Sequence, residues 1–375
     1  MPRLPKIERV KDLPLAEARE LRKTHRRVTR GLYLEPGAAA NDLPTRARAA
    51  LAVSPEGSMI CGATALALVM PKAPLEITRF ATLSPVHVLV PRAKGPGPRR
   101  AGITVHRAVQ LPAPWPVGAA RDRDRPAARP GMPPAWVEYP DEDGPPPWVD
   151  ASPPAGLLAP LEINAAHPAH CWAQLVLDLL GKHPWRPGDP DEGQAPGTFD
   201  SRARRMFLVC VQAGDALVRR DRPVLTHAQF AAAMRGLPRW QGVRAVRDVF
   251  GWVRANTDSY LETRLRLLTV DAGFPEPVVN HGLMLAGKRS WLDLSWPSLK
   301  IDLEYHGRQH VDQPAQVQAD IQRRAELVAA GWTVVEAVWG NLVAPSRLIS
   351  RLRAAFDAAR GRQALTGRQT PEGRQ

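Results

Sequence analysis

Hydrophobic and polar positions alternate at two different periods along this chain, and the switches between them divide it. Apolar residues recur at helical spacing over Leu15–Thr24, Ala47–Val53 and Cys61–Val69. Two runs, Val86–Pro91 and Gly102–Ala108, alternate β-branched with polar residues as half-buried strands do. Helical spacing returns at Cys171–Leu180, Arg205–Val218 and His227–Met234. The last third is the most sharply patterned. Ser259–Gly273 reads as a helix with Leu261, Leu265 and Leu268 on one face. Val278–Ala286, Ser290–Trp296 and Ile301–His306 read as three strands, with a turn at Gly287–Lys288. A helix over about Ala315–Ala330 stops at Gly331, followed by a strand at Trp332–Trp339 and a helix at Ser346–Ala359. The expected order there is α-β-β-β-α-β-α.

Proline separates these regions. Many of the 39 prolines lie between Pro112 and Pro160, where missing N–H donors and ring clashes forbid a helix. A second proline-rich stretch spans His183–Gly197. Long stretches of this kind usually serve as linkers or mobile loops. The expected organisation is therefore a mixed α/β N-terminal region (1–110), a proline-rich linker (111–155), a helical middle (156–257), an α+β domain (258–360) and a disordered tail (361–375).

Charge and cysteine content narrow the function classes. Lys and Arg number 51 against 37 for Asp and Glu, a formal net charge of +14. Such an excess favours polyanions, because neutralising phosphates releases counterions, although an arginine-rich composition alone gives the same balance. Arg22, Lys23, Arg26, Arg27 and Arg30 cluster beside a turn, which suits phosphate contacts or a solvated basic face. The three cysteines, Cys61, Cys171 and Cys210, form no Cys-x-x-Cys pair, which speaks against a cysteine zinc site or a disulfide framework. The N-terminus has no apolar signal-like core, and the longest near-apolar stretch, about Met59–Met70, is too short to span a bilayer. A soluble, cytoplasmic protein with no membrane partner is expected.

The candidate chemistry lies in the last third. Asp293 interrupts an apolar strand, and Glu304 lies on the next strand across a short turn. On a hairpin the two carboxylates meet on one face, where they repel unless a proton or a cation intervenes. Mg²⁺ or Mn²⁺ suits such hard oxygen donors and activates water for attack on phosphorus. Asp302, Glu304 and His306 share a face by the period of two; that face is either functional or a solvated sheet edge. Glu262 stands three residues after Ser259, as a capping-box partner does. Asp320 and Arg323 are spaced as an ordinary helical ion pair.

The run SYLETRLRLL, GFPEPVVN, LDLSWPSLKIDLEYHGRQH and DIQRRAELVAAGW, covering about residues 258–356, resembles a domain of unknown function with the fold of the very-short-patch-repair-like endonucleases. That family belongs to the PD-(D/E)XK nuclease superfamily. The resemblance implies a restriction-endonuclease-like core and a metal-dependent DNA endonuclease. Its helix glutamate falls on Glu262 and its strand aspartate on Asp293. Its glutamate-to-histidine motif falls on Glu304, Gly307 and His310. The run after it falls on Asp320, Arg323, Leu327, Gly331 and Trp332. The implied catalytic set is thus Asp293, Glu304, His306, Glu262 and His310, with Asp293 and Glu304 on the metal. His306 stands where the superfamily has lysine, a departure that favours the alternative of a DNA-binding regulator on a silent nuclease fold. Asp302 replaces a usually apolar residue and either adds a ligand or faces water. Arg308 and Arg323 join Arg26, Arg27 and Arg30 as expected nucleic-acid contacts. Near the N-terminus, RRVTRGLYL, CGATALAL and VHVLVP resemble the winged-helix segment of AbiEi-type antitoxins. That resemblance implies a DNA-binding wing and a cognate toxin as partner.

Overall fold

The computed structural model describes residues 7–29, 32–36, 42–70, 77–79, 81, 85–109, 111–112, 114–118, 160–181, 184–191, 193–220, 223–238, 241–306 and 314–367. The chain is mixed α and β. In chain order its elements are β1 (Ile7–Arg9), α1 (Leu15–Thr24), β2 (Arg26–Thr29), β3 (Leu32–Leu34), α2 (Leu43–Ala52), β4 (Met59–Ile60), α3 (Gly62–Val69), β5 (Val86–Pro91), β6 (Ile103–Ala108), β7 (Pro114–Gly118), β8 (Pro160–Ala166) and α4 (Pro168–Leu180). They continue with α5 (Arg202–Leu217), α6 (His227–Arg235), α7 (Val243–Phe250), α8 (Tyr260–Asp271), β9 (Val278–Leu285), β10 (Lys288–Trp296), β11 (Ile301–Tyr305), α9 (Pro314–Ala329), β12 (Thr333–Ala337), α10 (Trp339–Val343) and α11 (Ser346–Gly367). Two compact units result: residues 1–183 with 216–253, and residues 184–215 with 254–375. The expected helical middle is thus shared between them.

The first unit contains a three-stranded antiparallel sheet in the order β1-β3-β2, with α1 between β1 and β2. Strands β2 and β3, within Arg26–Leu34, pair antiparallel and follow the short helix α1. A five-stranded mixed sheet has the order β6-β5-β4-β8-β7. Its edge strand β7 lies inside the first proline-rich stretch, so that stretch begins as sheet and not as linker. Proline is tolerated there because an edge strand leaves one row of donors unpaired. Trp115 anchors that edge at 3% exposure. The remainder of the stretch lies outside the described residues. Beside this sheet, Trp172 of α4 meets Phe230 and Phe250 edge to face.

From α8 onward the second unit carries the α-β-β-β-α-β-α order that the hydrophobic periods predict, with one short helix, α10, added before the last. Its sheet order is β12-β11-β10-β9, antiparallel except for the β11–β12 pair. Leu292, Leu294, Ile301 and Leu303 are fully buried in it. The second proline-rich stretch is not a linker here. Asp271, at the end of α8, accepts from Gly188 N at 3.0 Å and Gly197 N at 2.5 Å, and from Arg204 Nη1 at 2.9 Å. Trp185 of this stretch and Phe199 just beyond it are buried, and Trp185 meets Phe207 edge to face. Proline and glycine forbid regular structure there, but not burial, once main-chain donors find a carboxylate. The expected tail is also shorter, because α11 runs through Gly367.

Candidate metal centre in the second unit

Asp293 and Glu304 come together through strand register. Leu294 pairs with Leu303, Ser295 with Asp302 and Trp296 with Ile301. One further step sets Asp293 opposite Glu304. There the ladder opens: Asp293 Oδ2 accepts from Tyr305 N at 3.0 Å, a side chain standing in for a main-chain acceptor. On the other flank, Asn280 of β9 adopts a left-handed φ of 48°. Its amide donates to Glu262 Oε2 at 3.1 Å. That bond ties α8 to the strands at the level of Asp293.

Four carboxyl groups are concentrated here with little water. Asp302 is 0% exposed, Glu304 6% and Glu262 7%. Burial, then the charge of Asp293, raises the Glu262 pKa to about 7. Burial also raises Asp293 to about 6; the Tyr305 N–H opposes it and the charge of Glu304 adds to it. Asp302 is pushed up furthest, by burial and then by Glu304. Among the described residues, neither oxygen of Asp302 accepts from an N–H or a hydroxyl, and the Glu304 carboxyl is its hydrogen-bonding neighbour. A buried carboxylate without donors is costly, so this position holds either a proton or a cation. The solvated-edge reading of this face is therefore excluded for Asp302 and Glu304.

Each remaining candidate has a definite place. Glu262 is held by capping contacts: its N–H donates to Ser259 Oγ at 3.1 Å, and its Oε2 accepts from Asp258 N at 2.9 Å. It fills the cap and borders the cluster together. His306 Nε2 lies 3.5 Å from Glu336 Oε1, which Arg324 also engages. Arg323, named as a nucleic-acid contact, is half-buried at 31% exposure. It donates to Glu304 Oε1 at 2.5 Å and to the Trp291 carbonyl at 3.0 Å. In the first unit Arg27 is exposed on β2, while Lys23 pairs with Glu20. Gly307, Arg308, His310 and Arg30, and the side chain of Arg26, lie outside the described residues.

Sequence reasoning missed the charged groups that hold α8. Arg266, at 0% exposure, donates to Asp215 Oδ2 at 3.1 Å and to Glu276 Oε1 at 2.7 Å. Asp215 also accepts from Thr263 Oγ1 and Arg254 N. The available signal was an arginine between the apolar positions of a helix that is buried on more than one face.

Among the described residues no helix is long and apolar enough to cross a membrane. No family model matches the chain. No solved structure matches it either. Two curated relatives are similar to it: uncharacterized proteins of Mycobacterium tuberculosis strain CDC 1551 and of strain H37Rv, each 30% identical over 122 residues. The match covers 32% of this chain and 45% of each relative, so the chain spans less than half the length of the relatives it resembles.

Proposed function

We propose that the second unit is a metal-dependent endonuclease domain that hydrolyses phosphodiester bonds in DNA. The observation that carries this reading is Asp302, fully buried beside Glu304 and Asp293 and, among the described residues, without an N–H or hydroxyl donor on either oxygen. The donor set is all oxygen, which fits Mg²⁺ or Mn²⁺. Asp293 and Glu304 would hold the ion, with Asp302 buried beside them, and the ion would orient a phosphate oxygen and lower the pKa of a bound water. Glu262 raises the negative potential from behind while its cap contacts fix it in place. Arg323 neutralises part of the charge on Glu304 and holds that carboxylate in one orientation. The basic excess of the chain supports association with the DNA backbone.

The Arg323–Glu304 pair also favours a second reading. A guanidinium on Glu304 supplies a positive charge there without a metal, as a silent nuclease fold in a DNA-binding regulator or antitoxin-like protein would allow. Cleavage separates the two. The full chain, incubated with supercoiled and mismatched DNA and Mg²⁺ or Mn²⁺, is expected to nick the substrate. Chelator and Asp293→Ala are each expected to reduce nicking by at least about 100-fold, as loss of a metal that stabilises several kcal/mol of developing charge implies. Salt-dependent binding without cleavage by the native chain would sink the nuclease reading and leave the regulator.

A further inference from the structure

The first unit holds a second constellation, in which two imidazoles and a carboxylate converge. His87 lies on β5 and His106 on β6. Their strands pair in parallel with Leu89 opposite His106, so His87 and His106 sit one diagonal step apart on the same face. Asp178 comes from the last turn of α4. His87 Nδ1 is 3.0 Å from His106 Nε2. Asp178 Oδ2 is 3.2 Å from His87 Nδ1 and 3.8 Å from His106 Nε2. Among the described residues, this is the group of three metal-ligating side chains whose ligand atoms lie within 4.8 Å of one another.

Those three separations have a physical meaning. A tetrahedral Zn²⁺ with bonds of about 2.0–2.1 Å sets its ligand atoms roughly 3.3 Å apart. The observed distances bracket that value. The ligand chemistry matches too: two imidazole nitrogens and a carboxylate oxygen are common zinc donors.

The surroundings fix all three groups. Gln174 Nε2 donates to Asp178 Oδ1 at 2.8 Å, which turns Oδ2 toward the imidazoles. Gly62 begins α3 at φ 55°, and a Cβ there would stand 3.2 Å from His87 Nδ1. The missing side chain leaves room for the ring. The three side chains are 14%, 15% and 26% exposed, so the cluster is not sealed in the core.

We propose that His87, His106 and Asp178 bind one Zn²⁺ ion, with Gln174 orienting the carboxylate and the fourth position left to water. Three protein ligands and an open position are the arrangement of zinc centres that activate water, whereas closed structural sites take four protein ligands. Unlike the oxygen-rich cluster in the second unit, this site takes two of its three donors from imidazole nitrogens. Nitrogen ligands select zinc over Mg²⁺.

The test uses the full chain, stripped with chelator and titrated calorimetrically with Zn²⁺ in excess Mg²⁺. One equivalent is expected to bind. His106→Ala and Asp178→Asn are expected to weaken binding by at least about 100-fold, and Gln174→Ala by about 10–100-fold, as loss of an outer hydrogen bond to a ligand does. Far-UV circular dichroism checks that each variant folds, and Gln174→Ala keeps the test open if a ligand variant does not. Co²⁺ in place of Zn²⁺ is expected to give the visible absorption of a tetrahedral site, lost in His106→Ala. The Asp293→Ala/Glu304→Ala chain is expected to bind zinc as the native chain does. Failure of the folded native chain to take up zinc overturns the proposal and leaves the cluster as a hydrogen-bonded pair on a carboxylate. So does unchanged binding in folded His106→Ala and Asp178→Asn, or loss of zinc in the Asp293→Ala/Glu304→Ala chain alone.

Discussion

Asp302→Asn is expected to stabilise the metal-free chain at pH 8 and to remove most of its stabilisation by Mg²⁺. The folded-state pKa of Asp302 is raised above its ordinary 3.8, first by burial and then by Glu304. The folded chain therefore holds a proton that the unfolded chain has released. The stability linked to that proton is complete below pH 3.8 and is lost as pH rises, by about 1.4 kcal/mol per pH unit. Glu262, raised from 4.5 to about 7, and Asp293, raised from 3.8 to about 6, act in the same direction over their own windows. The metal-free chain should thus lose stability most steeply between about pH 4.5 and 6. From about pH 7 upward the loss should continue at the slope of Asp302 alone.

Asparagine keeps the volume and removes the titration, so the slope above pH 7 should flatten. Mg²⁺ reverses the sign for the native chain by replacing the proton with an ion that prefers the carboxylates ionised. Calorimetric unfolding at pH 5 and pH 8, with and without Mg²⁺, reads all of this. A native chain as stable at pH 8 as at pH 5, and indifferent to Mg²⁺, would mean that the cluster is neither strained nor a cation site.

Arg266→Met is expected to destabilise the second unit by about 3–5 kcal/mol, the cost of leaving one member of a buried ion pair without its partner. Arg266 and Asp215 are 0% and 1% exposed at their side chains. Without Arg266, the Asp215 carboxyl keeps Thr263 and Arg254 N but loses the guanidinium that pairs with it. The double variant Arg266→Met/Asp215→Leu should recover much of the loss, since a well-packed apolar pair is often as stable as a buried ion pair. Urea unfolding of the three variants and the native chain closes the cycle. Equal and additive losses for the two single variants would show that the pair is not coupled.

The element order of the second unit was legible because its strands and helices have different hydrophobic periods and because Gly287 and Gly331 end elements where φ must be positive. Asp293 and Glu304 were legible for a related reason: a carboxylate is conspicuous in an apolar strand, and the short connection between β10 and β11 leaves few registers. Asp302 was ambiguous, since alternation gives a face but not whether that face is covered. Its complete burial is a property of what packs over the strand. The second proline-rich stretch was misread because composition reports what secondary structure a segment cannot form, and Asp271, some eighty residues away, supplies the acceptor that orders it.

The His87–His106–Asp178 cluster shows the same boundary most clearly. No spacing in the chain announces it, because its members come from two parallel strands and a helix separated by long connections. Local sequence determined the periods, the turns and the two acids of one hairpin, since those depend on neighbours within a few residues. Only the tertiary structure decided which buried charges meet an opposite charge, as Arg266 does, and which are set among other carboxyls, as Asp302 is. Partners distant in sequence meet through the pairing of strands and the packing of helices, and a local pattern does not encode that pairing.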